Sequence, residues 1–407
     1  MFTDNYIVLH RKSQPSLGDP FGPDFSFSSA GSGASSEPEV TVESLDTQDI
    51  ARLRKDPSVE AIAPVFPTQL IAPTGAGEVA ARSESGVTWG IQAVKATESP
   101  YTGKGITVAV LDTGIDSSHP AFNGMAIIEE DFTGDGNGDR HGHGTHVAGT
   151  IFGRTVNGFR FGVAQGVERA LIGKVLGDNG SGSTEGIIRG MQWAYDNGAH
   201  IICMSLGMSF PRYSQWLIQQ GLPEDLATDI ALQGYRANLR IFDRLVPMLL
   251  GGGTSTPIRD AMFHSSLVVA AAGNESRREV QDFYEVAVAP PAAAEGAVSV
   301  GALGQTNGLS LSVANFSNTG CNISAPGVDV YSALPNNSYA SWNGTSMAAP
   351  HVAGVAALWA EKMLRGRRVV NALHLGQLIA GRATQEGLVE YFDPFDVGLG
   401  LVQAPLN

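Results

Sequence analysis

Long apolar runs, separated by amphipathic stretches, recur along the second part of the chain. The runs are continuous instead of alternating with polar residues, which is typical of strands in a parallel sheet covered on both faces. They occupy residues 106–112, 170–176, 200–206, 267–273 and 297–303. Between two of them, a helical periodicity places these side chains roughly along one side: Ile187, Ile188, Met191 and Trp193. Because parallel strands need crossover connections, the alternation predicts a doubly wound α/β fold with a mostly parallel sheet.

A smaller α+β unit is predicted at the N-terminus, where shorter elements follow a different order. Strands are expected at residues 6–10, 39–42 and 59–65. A helix is expected between the last two strands, because Asp46 can cap it and Ile50 and Leu53 fall on one of its faces. Residues 13–38 are rich in Ser, Gly and Pro, so we expect a flexible loop there.

The change between these two patterns sets the expected domain boundaries. Residues 75–86 are mostly small and polar, which suits an exposed linker. We therefore expect an N-terminal domain at residues 1–74 and a larger domain at residues 87–407. Within the larger domain, residues 208–262 are predicted to form a helical insertion, because the 67 positions from Gly207 to Asn274 are roughly twice the number that a crossover helix needs.

Composition narrows the classes of partner. The chain has 407 residues, of which 43% are hydrophobic and 16% are charged, so it can bury a sizeable core and is expected to be globular. Its formal net charge of −14 argues against nucleic acid or an anionic membrane as the main partner, since both favour clustered Lys and Arg. We therefore expect no nucleic-acid partner and no membrane partner.

The sequence leaves the compartment open. Two cysteines, Cys203 and Cys321, cannot build a disulfide framework, so free thiols are expected, and Cys203 is interpreted as a core residue because it lies in an apolar run. No cationic stretch followed by an apolar segment opens the chain, and no run is long enough to span a bilayer. We expect a cytoplasmic protein if the chain is complete, and a secreted one if a signal was removed before the numbering.

Three chemically reactive side chains stand in blocks of small residues. Asp112 ends the first predicted strand in AVLDTGID, His143 lies in GHGTHVAGT, and Ser346 lies in NGTSMAAPHVAG. A serine hydroxyl needs a neighbouring base to become a nucleophile, and an imidazole base needs a carboxylate that sets its tautomer. Asp, His and Ser in this chain order form one of the known arrangements for acyl transfer. His143 and Ser346 are each expected near the start of a helix, where free amides and the helix dipole favour a developing oxyanion.

A fourth candidate is Asn274, which follows an apolar strand in AAAGNES. An asparagine there can donate its side-chain amide to the oxyanion that forms during acyl transfer. For an isolated Asn the alternative interpretation is an ordinary turn residue. The presence of Asp112, His143 and Ser346 favours the interpretation of Asn274 as the oxyanion donor.

Metal ligation is not expected. His141 and His143 in HGHGTH lack the HExxH arrangement of a zinc helix, and His146 and His351 are interpreted as packing or hydrogen-bonding partners. Residues 134–139, GDGNGD, carry acidic or amide side chains at alternate positions, as the start of a calcium loop does. Because the distal Glu of such a loop is missing, this segment is interpreted as an exposed turn.

The blocks around these residues closely resemble the subtilisin family of serine proteases. The resemblance covers most of residues 87–407 and is carried by VAVLDTGIDSSHP, GHGTHVAGT, KVLGDNGSGS, MSLG, VVAAAGNE and NGTSMAAPHVAG. It implies a subtilisin-like fold, the triad and oxyanion donor already named, and no cofactor for the chemistry. It also implies that an extended substrate pairs as an added strand with the backbone of Gly180, Ser181, Gly182, Ser205, Leu206 and Gly207.

The resemblance further implies a pocket for the side chain that precedes the scissile bond. Ala271, Ala272 and Gly273 would line this pocket, with Glu275 near its far end. Pro291 matches the position of a proline that is cis in members of the family.

The same resemblance bears on calcium. The tight calcium site of the family uses an acidic residue shortly after the triad Asp and an Asn-rich loop after the His helix. This chain has Ala121 and the sequence RTVNGFRFG instead, so no calcium is expected at that site. Structural calcium elsewhere stays open.

The N-terminal domain is similar to the inhibitory propeptide of the family, mainly through NYIVLHRK and ARLRKDPSVEAIAP. Such segments cover the active site and place their C-terminal end in the substrate cleft. The resemblance therefore implies that the chain's own N-terminal domain is its inhibitor, and we expect self-cleavage between residues 68 and 85.

The leading prediction is a serine endopeptidase that acts on protein or peptide substrates through an acyl-enzyme on Ser346 and is made as a self-processing precursor. Transfer of the acyl group to an amine instead of water would give a transpeptidase or peptide cyclase for a dedicated precursor. A catalytically silent binding module is the remaining alternative. The insertion at residues 208–262 is open to three interpretations: a lid, a partner-docking surface, or structural elaboration without function.

Overall fold

The computed structural model describes residues 5–11, 38–79, 86–251, 265–306, 310–367 and 369–406. Its N-terminal elements are β1 (Asn5–Arg11), β2 (Pro38–Ser44), α1 (Thr47–Leu53) and β3 (Val59–Pro64). The strands form an antiparallel sheet in the order β2, β1, β3, and Asp46 caps α1 by accepting hydrogen bonds from the amides of Gln48 and Asp49. The strands and helix predicted here are confirmed. The predicted loop at residues 13–38 lies outside the described residues, apart from its last position.

Two further strands, β4 (Pro67–Leu70) and β5 (Thr74–Val79), continue the chain beyond β3. β5 pairs antiparallel with the strand Ser338–Asn343, so the first residues of the predicted linker at 75–86 belong to a sheet. Gly and Ala have little strand propensity of their own, and the edge of the partner strand supplies the hydrogen bonds that order them. Residues 80–85 lie outside the described part of the chain, and the domain boundary stays a prediction.

The rest of the chain alternates strands and helices. Its strands are β6 (Gly86–Val87), β7 (Thr107–Asp112), β8 (Ala126–Asp131), β9 (Phe159–Arg160), β10 (Arg169–Lys174), β11 (Ser181–Ser183), β12 (Ile201–Met204), β13 (Leu206–Gly207), β14 (Leu267–Ala271), β15 (Val298–Thr306), β16 (Ser310–Val313), β17 (Ile323–Pro326), β18 (Val330–Leu334) and β19 (Ser338–Asn343). Its α-helices are α2 (Trp89–Ala93), α3 (His143–Phe152), α4 (Thr184–Asp196), α5 (Phe210–Gln219), α6 (Glu224–Leu249), α7 (Thr345–Arg367), α8 (Ala372–Arg382) and α9 (Pro394–Val397).

A largely parallel sheet forms the centre of the fold. Its strand order is β16, β15, β14, β12, β7, β10, β8, and β17 also pairs with β15. Among these pairs, β15 with β16 is antiparallel and the others are parallel. Every residue of β7, β12 and β14 is buried, and full burial of one Val, Ile or Leu side chain contributes about 1.5–3 kcal/mol. The five strands predicted from continuous apolar runs, and the mostly parallel α/β fold, are confirmed.

Several helices pack against this sheet. α7 packs along β12, β14, β15 and β17, α3 packs on α7 and β7, and α4 packs on β7 and β10. β7 and β12 are parallel neighbours, with Val110 opposite Cys203 and Leu111 opposite Met204. Their carboxyl ends therefore lie side by side, at the edge where open α/β sheets bind ligands.

The predicted insertion at residues 208–262 is helical where the structure describes it. α5 and the first half of α6 enclose a small core of Leu217, Ala227 and Ala231. The second half of α6 enters the main core through Ile241, Phe242, Leu245, Val246 and Leu249. The apolar faces of the insertion are therefore mostly buried within the same molecule. Neither α6 nor any other helix in the described residues combines the length and the apolarity needed to cross a bilayer.

Candidate active site

A buried carboxylate and a buried imidazole form a hydrogen-bonded pair where β7 ends. Asp112 Oδ1 lies 2.8 Å from His143 Nδ1, and both side chains are fully buried. Since a carboxylate only accepts, Nδ1 carries the proton and Nε2 is left as the basic nitrogen. Asp112 Oδ1 also accepts from the amide of Thr113 at 2.8 Å. The imidazole thus has the tautomer that a general base requires.

Asp139 organises the start of α3 and thereby positions His143. Its carboxylate accepts hydrogen bonds from the amides of His141, Gly142 and Thr145 and from the hydroxyls of Thr113 and Thr145. Asp139 is only 8% exposed, so the interpretation of GDGNGD as an exposed turn is wrong at this residue. The free amides of a helix start need an acceptor, and an acidic residue shortly before the helix is the signal that sequence reasoning missed.

Ser346 lies in the first turn of α7, next to the end of β12. Its side chain is fully buried. Its hydroxyl donates to the carbonyl of Ile71 at 3.1 Å and lies 3.4 Å from the carbonyl oxygen of Ser205. The hydroxyl of Ser205 donates back to the carbonyl of Ser346 at 3.2 Å. Because Ser205 follows β12 and Asp112 ends the adjacent β7, Ser346 and Asp112 share one edge of the sheet.

The hydrogen bond expected between His143 and Ser346 is not formed in this state. His143 Nε2 has no hydrogen-bonding partner among the described residues, and the Ser346 hydroxyl is directed to Ile71 instead. The reason is competition, because a backbone carbonyl of the N-terminal segment accepts a hydrogen bond as a neutral imidazole does. His143 is thus left with a free acceptor for the proton of a nucleophile.

The side-chain amide of Asn274 is oriented by Thr345. Asn274 Oδ1 accepts from both the amide and the hydroxyl of Thr345, at 2.9 Å each. Its Nδ2 points the other way and donates to the carbonyl of Ala72 at 3.0 Å. Asn274 therefore presents a donor to a backbone carbonyl in the cleft, as an oxyanion-hole amide does. Thr345 is not among the predicted site residues, although its place directly before Ser346 is a signal for it.

The N-terminal segment lies in the cleft as an added strand. β4 pairs antiparallel with β11 on one side and with β13 on the other, and the amide of Leu70 donates to the carbonyl of Gly180 at 2.9 Å. Of the backbone positions predicted to bind substrate, Ser205 contacts Ser346 instead. The others meet this strand: Gly180, Ser181, Gly182, Leu206 and Gly207.

A small cavity lies beside Ile71, whose side chain is almost fully buried. Gly273 and Glu275, both predicted for the substrate pocket, are among the residues that line it. Ala271 and Ala272 are buried and are not among its lining residues. The structure thus brings two of the four predicted pocket residues to this cavity.

Sequence comparison shows which protein family the chain belongs to. The profile of the Subtilase family matches residues 103–375, which is more than half of the chain and includes all four candidate catalytic residues. The chain belongs to the subtilase family. The predicted resemblance to the subtilisins is therefore confirmed.

Named relatives of this subtilase are proteases. M-protease of Shouchella clausii (strain KSM-K16) is 36% identical in an alignment of 334 positions that covers 80% of this chain and 70% of M-protease. Subtilisin Savinase of Lederbergia lenta is 37% identical in an alignment of 306 positions that covers 71% of this chain and 93% of Savinase. The Major intracellular serine protease of Bacillus subtilis (strain 168) is 36% identical in an alignment of 280 positions that covers 66% of this chain and 73% of that protease. The predicted activity, serine endopeptidase, is confirmed.

Two further histidines of the subtilase are structural. His146 Nε2 donates to the carbonyls of Val330 and Ala340 at 3.1 and 3.2 Å, and burial lowers the pKa of its imidazole to about 3. His351 Nδ1 donates to the carbonyl of Met347 at 2.8 Å, and burial lowers the pKa of that imidazole to about 4. Both side chains are neutral hydrogen-bond donors inside the core, as predicted.

The two cysteines of the subtilase are free and buried. Burial raises the pKa of the Cys321 thiol to about 11 and raises that of Cys203 as well. Neither thiol is therefore ionised near neutral pH, and the interpretation of Cys203 as a core residue is confirmed.

The donor groups of a metal site are not assembled in the part of the chain that the structure describes. No group of three or more His, Cys, Asp or Glu side chains there could hold a metal ion. Ala121, where the resemblance expects an acidic calcium ligand, is fully buried. In GDGNGD, Asp135 accepts from the amide of Asp178 at 2.9 Å, and Asp139 supports the helix of His143. Ala121 therefore offers no carboxylate to the family's tight calcium site, and the carboxylates of Asp135 and Asp139 accept hydrogen bonds from backbone amides.

Proposed function

We propose that this subtilase hydrolyses peptide bonds through Ser346, His143 and Asp112, with Asn274 as oxyanion donor. Ser346 Oγ attacks the carbonyl carbon of the substrate while His143 Nε2 takes its proton, and Asp112 stabilises the resulting imidazolium. Asn274 Nδ2 and the free amides at the start of α7 receive the oxyanion. His143 then gives the proton to the leaving amine, and water releases the acyl group by the same steps in reverse.

The position of the N-terminal segment is the observation that carries this proposal. The carbonyls of two consecutive residues, Ile71 and Ala72, meet the Ser346 hydroxyl and the Asn274 amide. A peptide backbone thus lies between the nucleophile and the oxyanion donor, where a scissile bond must lie. The antiparallel pairing of β4 with β11 and β13 supports a substrate that binds as an extended strand.

The same contacts support the proposal that the chain inhibits itself. The Ser346 hydroxyl donates to a carbonyl oxygen, whereas attack requires its approach to a carbonyl carbon. Asn274 holds the next carbonyl along the chain, so the nucleophile and the oxyanion donor engage different peptide groups. Self-cleavage requires the Ile71 carbonyl to shift toward Asn274, which places the cut at the Ile71–Ala72 bond.

Intact-mass measurement tests self-cleavage. The wild-type chain and a Ser346→Ala variant are expressed and incubated under the same conditions. We expect the wild type to lose residues 1–71 and to show Ala72 as its new N-terminus, and the variant to keep its full mass. Equal masses for the two proteins contradict self-cleavage.

Peptide hydrolysis is tested separately with the cut protein. We expect casein fragments that have each gained one water, and labelling of Ser346 by a fluorophosphonate probe that the Ser346→Ala variant abolishes. Products joined without added water would show acyl transfer to an amine instead. A cut protein that neither labels nor cleaves would be a binding module.

A further inference from the structure

The helical insertion forms one wall of the cleft that receives the N-terminal side of a bound peptide. We propose that α5 and α6 build a subsite that selects substrates with an aromatic residue five positions before the residue whose carbonyl Ser346 attacks. In this chain those two residues are Phe66 and Ile71. The proposal rests on the proposed role of Ser346, because the count starts at the carbonyl that its hydroxyl contacts.

The side chain of Phe66 packs between the two helices of the insertion, in a recess lined by Tyr213 and Gly234 that we call the seat. This side chain is 1% exposed. The ring of Tyr213 on α5 meets it edge to face, with centroids 4.8 Å apart and an interplanar angle of 67°, which is a preferred geometry for an aromatic pair. On α6, Gly234 makes room for the ring, since a Cβ there would lie 3.0 Å from it. Glycine weakens a helix interior, so its presence at this contact is explained by the ring that it admits.

Backbone hydrogen bonds hold this seat in register with the nucleophile. The amide of Phe66 donates to Thr184 Oγ1 at 3.0 Å, and the amide of Thr184 donates to the carbonyl of Phe66 at 2.9 Å. These bonds continue the ladder in which Pro67 lies opposite Ser183. A peptide bound along the same edge therefore places the corresponding side chain in the same seat, whatever its sequence.

Contacts outside the N-terminal domain hold the wall of the subsite, although α6 also contacts that domain where Asn238 Nδ2 donates to the carbonyl of Pro64 at 2.8 Å. α5 and α6 are joined by their own small core, to which Leu217 and Ala231 contribute, and Phe242 anchors the far half of α6 in the main core. Tyr213 also stacks on Trp216, with centroids 5.8 Å apart and an interplanar angle of 15°. We therefore expect the seat to persist when the N-terminal segment leaves and a substrate enters.

The chemistry of the seat favours an aromatic side chain over a polar one. Gly234 and the ring of Tyr213 line it, so it offers an apolar surface and an edge-to-face partner for a second ring. α5 makes a second contact with the bound segment, since Arg212 Nη1 donates to Gln69 Oε1 at 3.0 Å. The insertion thus contacts two side chains of the bound peptide, Phe66 and Gln69, as expected for a specificity-determining element.

Two peptides that differ at one position test the proposal. The full chain is expressed with a site for a sequence-specific protease within residues 80–85, folded, cut and separated from its N-terminal fragment. Internally quenched peptides carry the sequence of residues 64–76, PVFPTQLIAPTGA, or the same sequence with Ala in place of Phe. We expect kcat/KM to be about tenfold or more higher for the Phe peptide, which corresponds to about 1.4 kcal/mol. Binding to the Ser346→Ala protein, measured by fluorescence anisotropy, should show the same preference in Kd.

A variant that fills the seat provides the decisive comparison. Gly234→Leu should bring the preference for the Phe peptide down to about twofold or less, because the added side chain fills the space that the ring needs. Gly381→Leu on α8 is the matched control, because a Cβ at that glycine meets no atom within 4 Å, and it should keep the preference. Equal kcat/KM and equal Kd for the two peptides overturn the subsite. If the Ser346→Ala protein prefers the Phe peptide but the active form cleaves nothing, the subsite stands and the proposed function fails.

Discussion

Thr345 donates two hydrogen bonds to the carboxamide oxygen of Asn274, one from its amide and one from its hydroxyl, at 2.9 Å each. This double contact turns the Asn274 Nδ2 donor toward the cleft. Thr345→Val keeps the shape of the side chain and removes the hydroxyl. We expect kcat toward a peptide substrate to fall about tenfold, or about 1.4 kcal/mol in barrier height, with little change in KM, because the donor acts mainly in the transition state.

Two matched variants separate positioning from folding in this case. Thr345→Ser retains the hydroxyl and should keep kcat near the wild-type value. Asn274→Ala removes the donor itself and should lower kcat by about 10²–10³-fold, a magnitude taken from subtilisin, a relative of this chain. Full activity in Thr345→Val would show that Asn274 is held in place without that hydroxyl.

Asp139 should matter for both stability and catalysis. In Asp139→Asn an NH₂ group replaces one acceptor oxygen, although amide and hydroxyl donors surround the carboxylate. We expect a loss of about 1–3 kcal/mol in unfolding free energy, because a buried donor is left without an acceptor, and a lower kcat because the start of α3 carries His143. Urea denaturation and peptide kinetics measure the two effects. Asp282→Asn, at an exposed position, is the control and should cost less than about 1 kcal/mol.

A substitution at Leu70 should displace β4 from the cleft and give a probe access to Ser346. Leu70→Pro removes the amide that donates to Gly180 at 2.9 Å, and proline interrupts a strand that is paired on both sides. We expect a fluorophosphonate probe to label Ser346 in the uncut chain about tenfold faster or more than in the wild type. Leu70→Ala keeps the amide and should have a smaller effect. An unchanged labelling rate in the proline variant would mean that β4 does not control access to Ser346.

Acid should destabilise the fold through His146 and His351. Burial lowers the pKa of these imidazoles to about 3 and about 4, from an ordinary value of 6.5. Below about pH 6.5 the unfolded chain binds a proton at each histidine while the folded chain does not. The unfolding free energy should therefore fall as the pH drops from about 6 to about 4, by up to about 1.4 kcal/mol per pH unit for each histidine.

Urea denaturation of the Ser346→Ala protein at pH 7, 6 and 5 measures this slope without self-digestion. His351→Asn keeps a side-chain N–H near the position of Nδ1 but does not titrate in this range. We expect the variant to lose less stability than the parent protein, by about 1 kcal/mol between pH 6 and pH 5. Identical slopes in the two proteins would contradict the assignment of acid sensitivity to His351.

Continuous apolar runs and the chain order of Asp112, His143 and Ser346 were sufficient to predict the central sheet and the candidate catalytic groups, because both depend on local sequence. The strand at Thr74–Val79 could not be predicted, since its order comes from pairing with β19, which lies far away in the chain. The burial of Asp139 and the orientation of the Ser346 hydroxyl depend in the same way on tertiary neighbours. Local patterns therefore reveal which groups are present, and long-range contacts determine which atoms they bind.

The bound N-terminal segment runs through two separate sheets, as β4 between β11 and β13 and as β5 beside β19. Before any cut, β4 and β5 are covalently joined to each other and to the rest of the protein. Each strand therefore binds its partner strands at a high effective concentration. A cut at Ile71–Ala72 divides the segment, so the piece that carries β4 becomes a free molecule in a bimolecular equilibrium while β5 stays joined to the protease. If the chain cuts and inhibits itself as proposed, we expect inhibition of the newly cut protein to depend on dilution, and full activity to appear only as the freed piece diffuses away or is digested.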